Sequence, residues 1–382
     1  MQYLKAACGL LCFLILASNV LSISRWNEAR GVYDDICYLR QAHLFKKFGL
    51  AGLDTDVAAR DDDRYLSSKL KEIGFPTWSD PTTAPCHTPM PTTRKLVLQY
   101  PPGTGFALAL FPQGFQVIPL YALANVVVFG FALLGIAYAR SKPSILLATA
   151  FGSLAIYLMI NPAKASYSVA PTMALCALVG YLTARLFCAE QRKGRVLLTG
   201  LIGFLIGMEV NFRLPNLFLS SGYFVFFFTS FLLSRKIEIA LQGVSFSAAF
   251  LAGVAPTLLA NAINAGSPFA TTYGTGDALP PEFSPEVIWA YVTDLQFGLL
   301  VLAGAWTFAL WRGYRGNGMR QVALVTAGNL LVNLGFFLSH PVFTPYYTIP
   351  IAMLSLWSLL FASLMQPAEV VDNELLAQGV SA

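Results

Sequence analysis

Apolar runs of roughly 18 to 25 residues recur along the chain, separated by short polar breaks, and each is long enough to cross a hydrocarbon layer about 30 Å thick. The pattern predicts spans near residues 6–22, 115–138, 144–160, 167–187, 196–212, 217–234, 240–263, 287–311, 321–339 and 345–365, about ten in all. The apolar run over 104–138 is too long for one span. Pro112 and Gly114 divide it into a short helix at 104–111, dipping into the interface, and a full span after it.

One long polar segment interrupts the pattern, at 24–103. Ile36, Leu39, His43, Phe45 and Phe48 give a loose amphipathic face, which predicts a helix lying along the membrane surface. The Pro/Thr-rich stretch at 76–93 is expected to be irregular, since each proline fixes φ and removes a donor. The expected fold is therefore an all-α integral membrane protein. It has one polytopic unit over 1–365, a large first loop with interfacial helices, and a polar tail at 366–382. No internal repeat is visible.

Composition agrees: 56% of the 382 residues are hydrophobic and 12% charged, against about 25% charged in a soluble domain. The net charge of +5 does not point to nucleic acid, because its distribution carries the meaning. The loops at 139–143, 187–195, 234–238 and 311–320 hold Arg140, Lys142, Arg192, Lys193, Arg195, Arg235, Lys236, Arg312, Arg315 and Arg320. The short loops on the other side hold only Lys164 and Arg213. By the positive-inside rule the N-terminus and tail are cytoplasmic, and the 24–103 loop is outside. Lys5 precedes the first apolar run, and no small-x-small cleavage site precedes Arg25, so a retained first span is expected.

Of six cysteines, Cys8, Cys12, Cys176 and Cys188 fall in or beside apolar runs as packing thiols. Cys37 and Cys86 share the outer loop, where an oxidising compartment would let them pair; sequence leaves the bridge open.

Charge beside a bilayer is costly and has a reason. On the outer side stand Asp34 and Asp35, then Lys164, then Glu209 and Arg213 at i,i+4 spacing. Asp277, Glu282, Glu286 and Asp294 follow, then His340 with Tyr346 and Tyr347. A carboxylate here can act as a general base on a hydroxyl. Arg and Lys can hold a phosphate and stabilise its charge as it leaves. Each also has a plain structural reading: Asp34 and Asp35 as a helix N-cap pair, Glu209 and Arg213 as a self-satisfied pair, His340 as a packed interfacial histidine. No nucleophile elbow, phosphate-binding glycine loop or diagnostic metal spacing occurs. Asp61, Asp62 and Asp63 form a candidate divalent-cation site, although such runs are more often solvated loop.

Four stretches resemble the polyprenyl-phosphate-sugar-dependent membrane glycosyltransferases of the GT-C superfamily, of the aminoarabinose- and mannosyltransferase type. Asp34-Asp35-Ile36-Cys37-Tyr38-Leu39-Arg40-Gln41-Ala42 is similar to that family's acidic pair after the first span. Tyr100-Pro101-Pro102-Gly103 is similar to the motif closing its first outer loop. Gly203 and Gly207, followed by Arg213-Leu214-Pro215-Asn216, resemble its Gly-rich span and exit. Gly266-Ser267-Pro268-Phe269, followed by Tyr273-Gly274, resembles a late outer loop. The resemblance covers about 1–350 and implies an inverting transfer of a monosaccharide. Asp34 would be the base, supported by Asp35, and Arg213, Lys164 and His340 would bind the donor phosphate. Tyr38, Tyr100, Pro102 and Tyr273 would shape the cavity. The donor would be a polyprenyl-phosphate sugar, and the acceptor a glycan, a lipid or a protein. A site on the periplasmic face of a bacterial inner membrane is the implied location. The family's second acid before the fourth span has no counterpart in 161–170, and only His340 represents its late basic residue. The rival readings are a transporter or lipid-linked glycan flippase, a non-catalytic relative, and an assembly subunit.

Overall fold

The computed structural model describes residues 1–28, 33–60, 62–160, 166–189, 194–273, 280–313, 316–340 and 342–365, with backbone alone at 33, 34, 81 and 345. The chain opens with helix α1 (Gln2–Ile23). The polar segment then folds as α2 (Tyr33–Phe48), α3 (Tyr65–Glu72), strands β1 (His87–Met90) and β2 (Lys95–Leu98), and the short α4 (Gly103–Ala109). The apolar bundle follows as α5 (Val117–Tyr138), α6 (Lys142–Leu158), α7 (Val169–Cys188), α8 (Arg195–Phe212), α9 (Ser221–Ser234) and α10 (Ile237–Ala265). It closes with α11 (Pro285–Thr293), α12 (Phe297–Arg312), α13 (Asn317–Ser339) and α14 (Thr348–Leu364).

Among the described residues, seven stretches are long and apolar enough to cross a membrane, or eight if α11 and α12 count as one broken span. The protein is a helical membrane protein on these grounds. The apolar helices α6 and α14 are shorter, at 17 residues each. Lys5 Nζ donates to the Ala137 carbonyl at 2.8 Å, and Gly318 lies against the Phe187 carbonyl. The start of α1, the ends of α5 and α7, and the start of α13 therefore share one end of the bundle. The polar segment caps the other.

With lipid as apolar as the helices themselves, close backbone approach and buried amides hold such a bundle together. Asn19 of α1 donates to Asn125 Oδ1 of α5 at 2.9 Å and to the Ile156 carbonyl of α6 at 2.6 Å. Asn329 Oδ1 accepts the Gly222 N–H at 2.6 Å, and Asn333 reaches the Phe218 carbonyl at 3.0 Å. The tightest crossing is α8 on α10, where Gly203 and Gly207 stand against the Phe246 and Phe250 carbonyls, leaving no room for a Cβ.

Pro256 lies inside α10 and disturbs its hydrogen-bond ladder. Asn211 of α8 inserts there. Its Nδ2 donates to the Gly253 carbonyl at 2.7 Å, and its Oδ1 accepts the Thr257 N–H at 3.0 Å and hydroxyl at 2.8 Å. The two groups that would have bonded each other across the kink are satisfied by one amide from a neighbouring helix, as lipid requires.

Three expectations from the sequence are corrected. The 76–93 stretch is not wholly irregular: β1 pairs antiparallel with β2, with His87 opposite Leu98 and Met90 opposite Lys95. The Gln99 N–H to Cys86 carbonyl bond fixes the alternation, so Pro89 falls at a position without a ladder bond and its missing N–H costs nothing there. The outer edge of β2 is covered too, since Leu98 N–H donates to Thr55 Oγ1 and Val57 N–H to the Leu96 carbonyl. Second, α2 is not a surface-lying amphipathic helix. From Asp35 to Phe45 only His43 is more than slightly exposed, because the hairpin, α3 and α4 enclose it. Third, the run at 287–311 is not one straight span: α11 and α12 meet at 78°. Asp294 Oδ1 accepts the Gln296 N–H at 2.7 Å, an Asx turn that ends one helix and starts the next. The fold is otherwise helical among the described residues, as an all-α membrane protein requires, with this one hairpin in the polar segment.

Candidate functional site

The chain leaves α1 through Trp26, whose ring meets Tyr121 edge-on at 5.0 Å. The Tyr167 hydroxyl donates to the Glu28 carbonyl, and Glu28 Oε1 accepts the Gln116 N–H. Residues 29–32 lie outside the described chain. α2 then opens at Tyr33, so positions 34 and 35 fall in its first turn rather than at its cap, which corrects the N-cap reading. The Asp34 side chain is outside the description; Asp35 is buried, at 1% exposed.

α2 is fixed from several directions. A Cys37–Cys86 disulfide ties it to the residue before β1, with Cα atoms 6.4 Å apart, which answers the question the sequence left open. Arg40 is fully buried. Its Nε pairs with Asp62 at 2.9 Å, and its Nη1 reaches the Thr55 carbonyl and His87 Nε2, both at 3.1 Å. Burial and the adjacent guanidinium push the His87 pKa down to about 4. The ring is thus neutral, with Nδ1–H toward the Pro85 carbonyl at 2.9 Å and Nε2 accepting from Arg40. Neither Arg40 nor His87 stood out in the sequence, where nothing marks a lone arginine as buried.

Tyr100-Pro101-Pro102-Gly103 joins this unit to the bundle. Gly103 packs so close to Asn211 that a Cβ would stand 2.7 Å from it. The Thr104 hydroxyl donates to the Phe212 carbonyl at 3.3 Å. The motif thereby seats α4 on the end of α8, immediately before Arg213.

A cavity of about 440 Å³ opens where these parts meet. Five of the residues to which the resemblance gives a role line it, Tyr38, Tyr100, Tyr273, Arg213 and His340, and Tyr346 and Tyr347 join them. Tyr38 stacks on Tyr100 at 4.9 Å, and Tyr100 meets Tyr273 edge-on at 6.1 Å. The Thr272 hydroxyl donates to the Gln99 carbonyl at 2.7 Å, which holds the late loop to the end of β2. Position 34 stands one helical turn before Tyr38, on the same face of α2. Pro102 is not part of the wall; it is buried and precedes the first turn of α4. Lys164 and Asp277 lie outside the described residues.

Arg213 follows the last turn of α8 in extended backbone, with φ −155° and ψ 131°. Its guanidinium lies over the Tyr346 and Tyr347 rings, at 4.7 and 4.6 Å from their centroids. It forms no ion pair with Glu209, so the self-satisfied pair is corrected: leaving the helix at 213 carries the guanidinium away from 209. Glu209 is fully buried, with the Cys176 thiol of α7 as a polar neighbour of its carboxyl. His340 stacks on Phe336 at 5.4 Å, and burial lowers its pKa. It therefore lines the cavity as a neutral ring that can donate one N–H.

Compared with known proteins, the chain matches no family model, no curated sequence and no solved structure.

No group of three or more His, Cys, Asp and Glu side chains that could hold a metal ion occurs among the described residues. Asp62 pairs with Arg40 and Asp63 with Lys47 at 2.7 Å, and Asp61 is outside the description. The two described members of the acidic run thus point to different cations of the chain itself, which does not fit a shared metal.

The chemistry of the cavity is one-sided. It offers a buried guanidinium backed by two aromatic rings, a neutral imidazole, and a wall of three tyrosines. Such a site receives an anion at one end and a compact polar group against aromatic faces at the other.

Proposed function

We propose that this chain is an inverting glycosyltransferase of the GT-C type, moving a monosaccharide from a polyprenyl-phosphate donor to an extracytoplasmic acceptor. The observation that carries the reading is Arg213. It is 7% exposed, held over two tyrosine rings and lines a cavity that Tyr38 of α2, the helix of the acidic pair, also lines.

In this reading Asp34 takes the proton of the acceptor hydroxyl. The acceptor oxygen then bonds to the anomeric carbon from the face opposite the phosphate. The bond from that carbon to the phosphate oxygen breaks, its electron pair leaving with the polyprenyl phosphate, and the configuration inverts. Arg213 meets the charge gained by the phosphate, and His340 donates a neutral hydrogen bond. Lys164 is a proposed second cation. Asp35 keeps Asp34 in register, and the three tyrosines seat the sugar.

The same reading takes all ten apolar stretches as spans, α6 and α14 included, with the polar segment on the periplasmic face of a bacterial inner membrane. The Cys37–Cys86 disulfide supports an oxidising side for that segment. The basic residues at the other end of the bundle support a cytoplasmic one.

The test incubates purified protein with a panel of polyprenyl-phosphate sugars, comparing wild type with Asp34→Asn. Transfer or lipid-phosphate release by wild type, lost in the variant while donor binding persists, supports the assignment and names the sugar. Equal turnover by both removes Asp34 as the base. A well-folded protein that binds no donor removes the reading.

One observation favours a transporter instead. Glu209 is an ionisable group buried inside a span with no cation beside it among the described residues, only the Cys176 thiol, and such groups mark proton and ion paths. Substrate-driven proton flux in vesicles, abolished by Glu209→Gln, would bring that reading forward.

A further inference from the structure

α11 is nine residues long and turns 78° from the axis of α12. Ser284 caps it, its hydroxyl oxygen accepting the Val287 N–H at 3.4 Å. One face of α11 is used inside the protein: Tyr291 is 1% exposed. The other face is bare. Trp289 and Val292 fall on it at three-residue spacing, exposed by 69% and 47%, with exposed Glu286 one turn before them; Leu295, 93% exposed, follows in the turn past the helix end, and Phe283 adds to them at the N-terminal side.

This bare face continues directly into the outward surface of α12, where Val301, Leu302 and Phe308 are likewise exposed. An apolar surface that turns a right angle at the end of a span fits the boundary between acyl chains and headgroups, where tryptophan is enriched. The segment 280–311 contains Glu282, Glu286 and Asp294 but no lysine or arginine. Attraction to anionic headgroups therefore has no part in the contact.

The inner face of α11 leads to the cavity. Thr344 N–H donates to the Tyr291 hydroxyl at 3.2 Å, and the Tyr291 ring meets Phe343 at 4.8 Å. The Glu282 N–H donates to the Ser339 carbonyl at 2.7 Å. The strap so held runs into Tyr346 and Tyr347, the rings that back Arg213.

We propose that α11 is a membrane-surface anchor. Its Trp289–Val292 face, continued by Leu295 of the following turn, docks into the interfacial layer of the bilayer, and through Tyr291 it sets the position of the strap that backs Arg213. The anchor does not depend on the transferase reading, because any ligand of this cavity meets the same strap.

The test uses the full chain in phosphatidylcholine vesicles, some doped with phosphatidylcholine brominated near the glycerol end of its chains. The fluorescence of wild type minus that of Trp289→Phe isolates Trp289. The expected difference signal is blue-shifted, quenched by the brominated lipid, spared by aqueous iodide, and unchanged by anionic lipid or salt. Hydrogen exchange then compares Trp289→Asp and Val292→Asp with Trp289→Phe. Each charged variant is expected to exchange about tenfold faster over 342–347 while 87–98 is unchanged, the latter reporting an intact fold. Quenching of Trp289 by iodide overturns the proposal. So does protection from both quenchers, which would mean that a second copy or another protein covers the face. Lipid quenching without a change over 342–347 overturns the link to the cavity.

Discussion

The Arg213 guanidinium lies 4.6 Å from the centroid of the Tyr347 ring and has no carboxylate partner among the described residues. Aromatic faces attract a cation without neutralising it. The charge stays available to an incoming anion, whereas a carboxylate neighbour would have consumed it.

This separates two substitutions at one position. Arg213→Ala should weaken binding of a short-chain prenyl phosphate by roughly 10- to 100-fold, the loss of one charge-assisted contact. Arg213→Lys restores the charge but not the planar fork that lies flat on a ring and grips two oxygens, so it should recover only part of the loss. Equilibrium binding at two salt concentrations reads this directly. Affinity equal to wild type in Arg213→Ala would remove Arg213 from the phosphate site.

The contact of Arg40 with His87 makes the polar segment acid-sensitive. Unfolded, His87 titrates near its ordinary value of 6.5; folded, near 4. Between these values the unfolded chain binds a proton that the folded one refuses, so stability is complete above the upper value. It falls as pH drops toward the lower one, by up to about 3 kcal/mol. Protection from hydrogen exchange over 33–48 and 87–98 in the full chain, taken relative to the intrinsic rate at each pH, should fall as pH drops from 6.5 to 4 and level off above 6.5. His87→Asn should flatten the profile. An unchanged profile in that variant would mean that another group carries the acid response.

The long apolar helices were legible because an apolar run is a local signal. Tyr38, Tyr100, Tyr273 and Arg213 were legible through motifs, and the structure brings them to one cavity. The features the sequence hid depend on distant partners. Asn211 reads as an ordinary helix-end polar residue until α10 brings Pro256 beside it. His87-Thr88-Pro89-Met90 reads as a loop because its pairing with Lys95-Leu96-Val97-Leu98 is what makes it a strand. Arg40 reads as solvated, although Asp62, Thr55 and His87 reach it from three other segments. Asp294 reads as one more acid in or beside an outer loop, and only its Asx turn shows that a helix restarts there.

The Asn211 amide gives the bundle a specific weak point. Asn211→Leu keeps the volume but leaves the Gly253 carbonyl and Thr257 N–H unpaired in apolar surroundings. The cost should be about 2–4 kcal/mol, more than a neutral change on the lipid face. Thermal unfolding in detergent should show a clear drop in midpoint, whereas Leu197→Ala, on an exposed face, should show little change. Removing the kink as well, in Asn211→Leu with Pro256→Ala, should recover part of the loss, because the α10 ladder can then close on itself. Equal stability of the single and double variants would mean that the amide is not bridging a broken ladder.

The Cys37–Cys86 disulfide closes a loop with a sequence separation of 49, for which restriction of the unfolded chain predicts about 4 kcal/mol. That stabilisation falls on α2, which carries the acidic pair and Tyr38. Cys37→Ser with Cys86→Ser, or reduction of the wild type, should therefore speed exchange across 33–48 more than across any span, since the bundle is held by its own amides and close-packed helices. Donor affinity should suffer less than turnover. Arg213 and its tyrosine rings stand on α8 and the strap before α14, while the proposed base stands on the loosened helix. A matching loss of both would show that the phosphate site also depends on α2, and unchanged exchange over 33–48 would show that Arg40 and the hairpin hold the helix unaided.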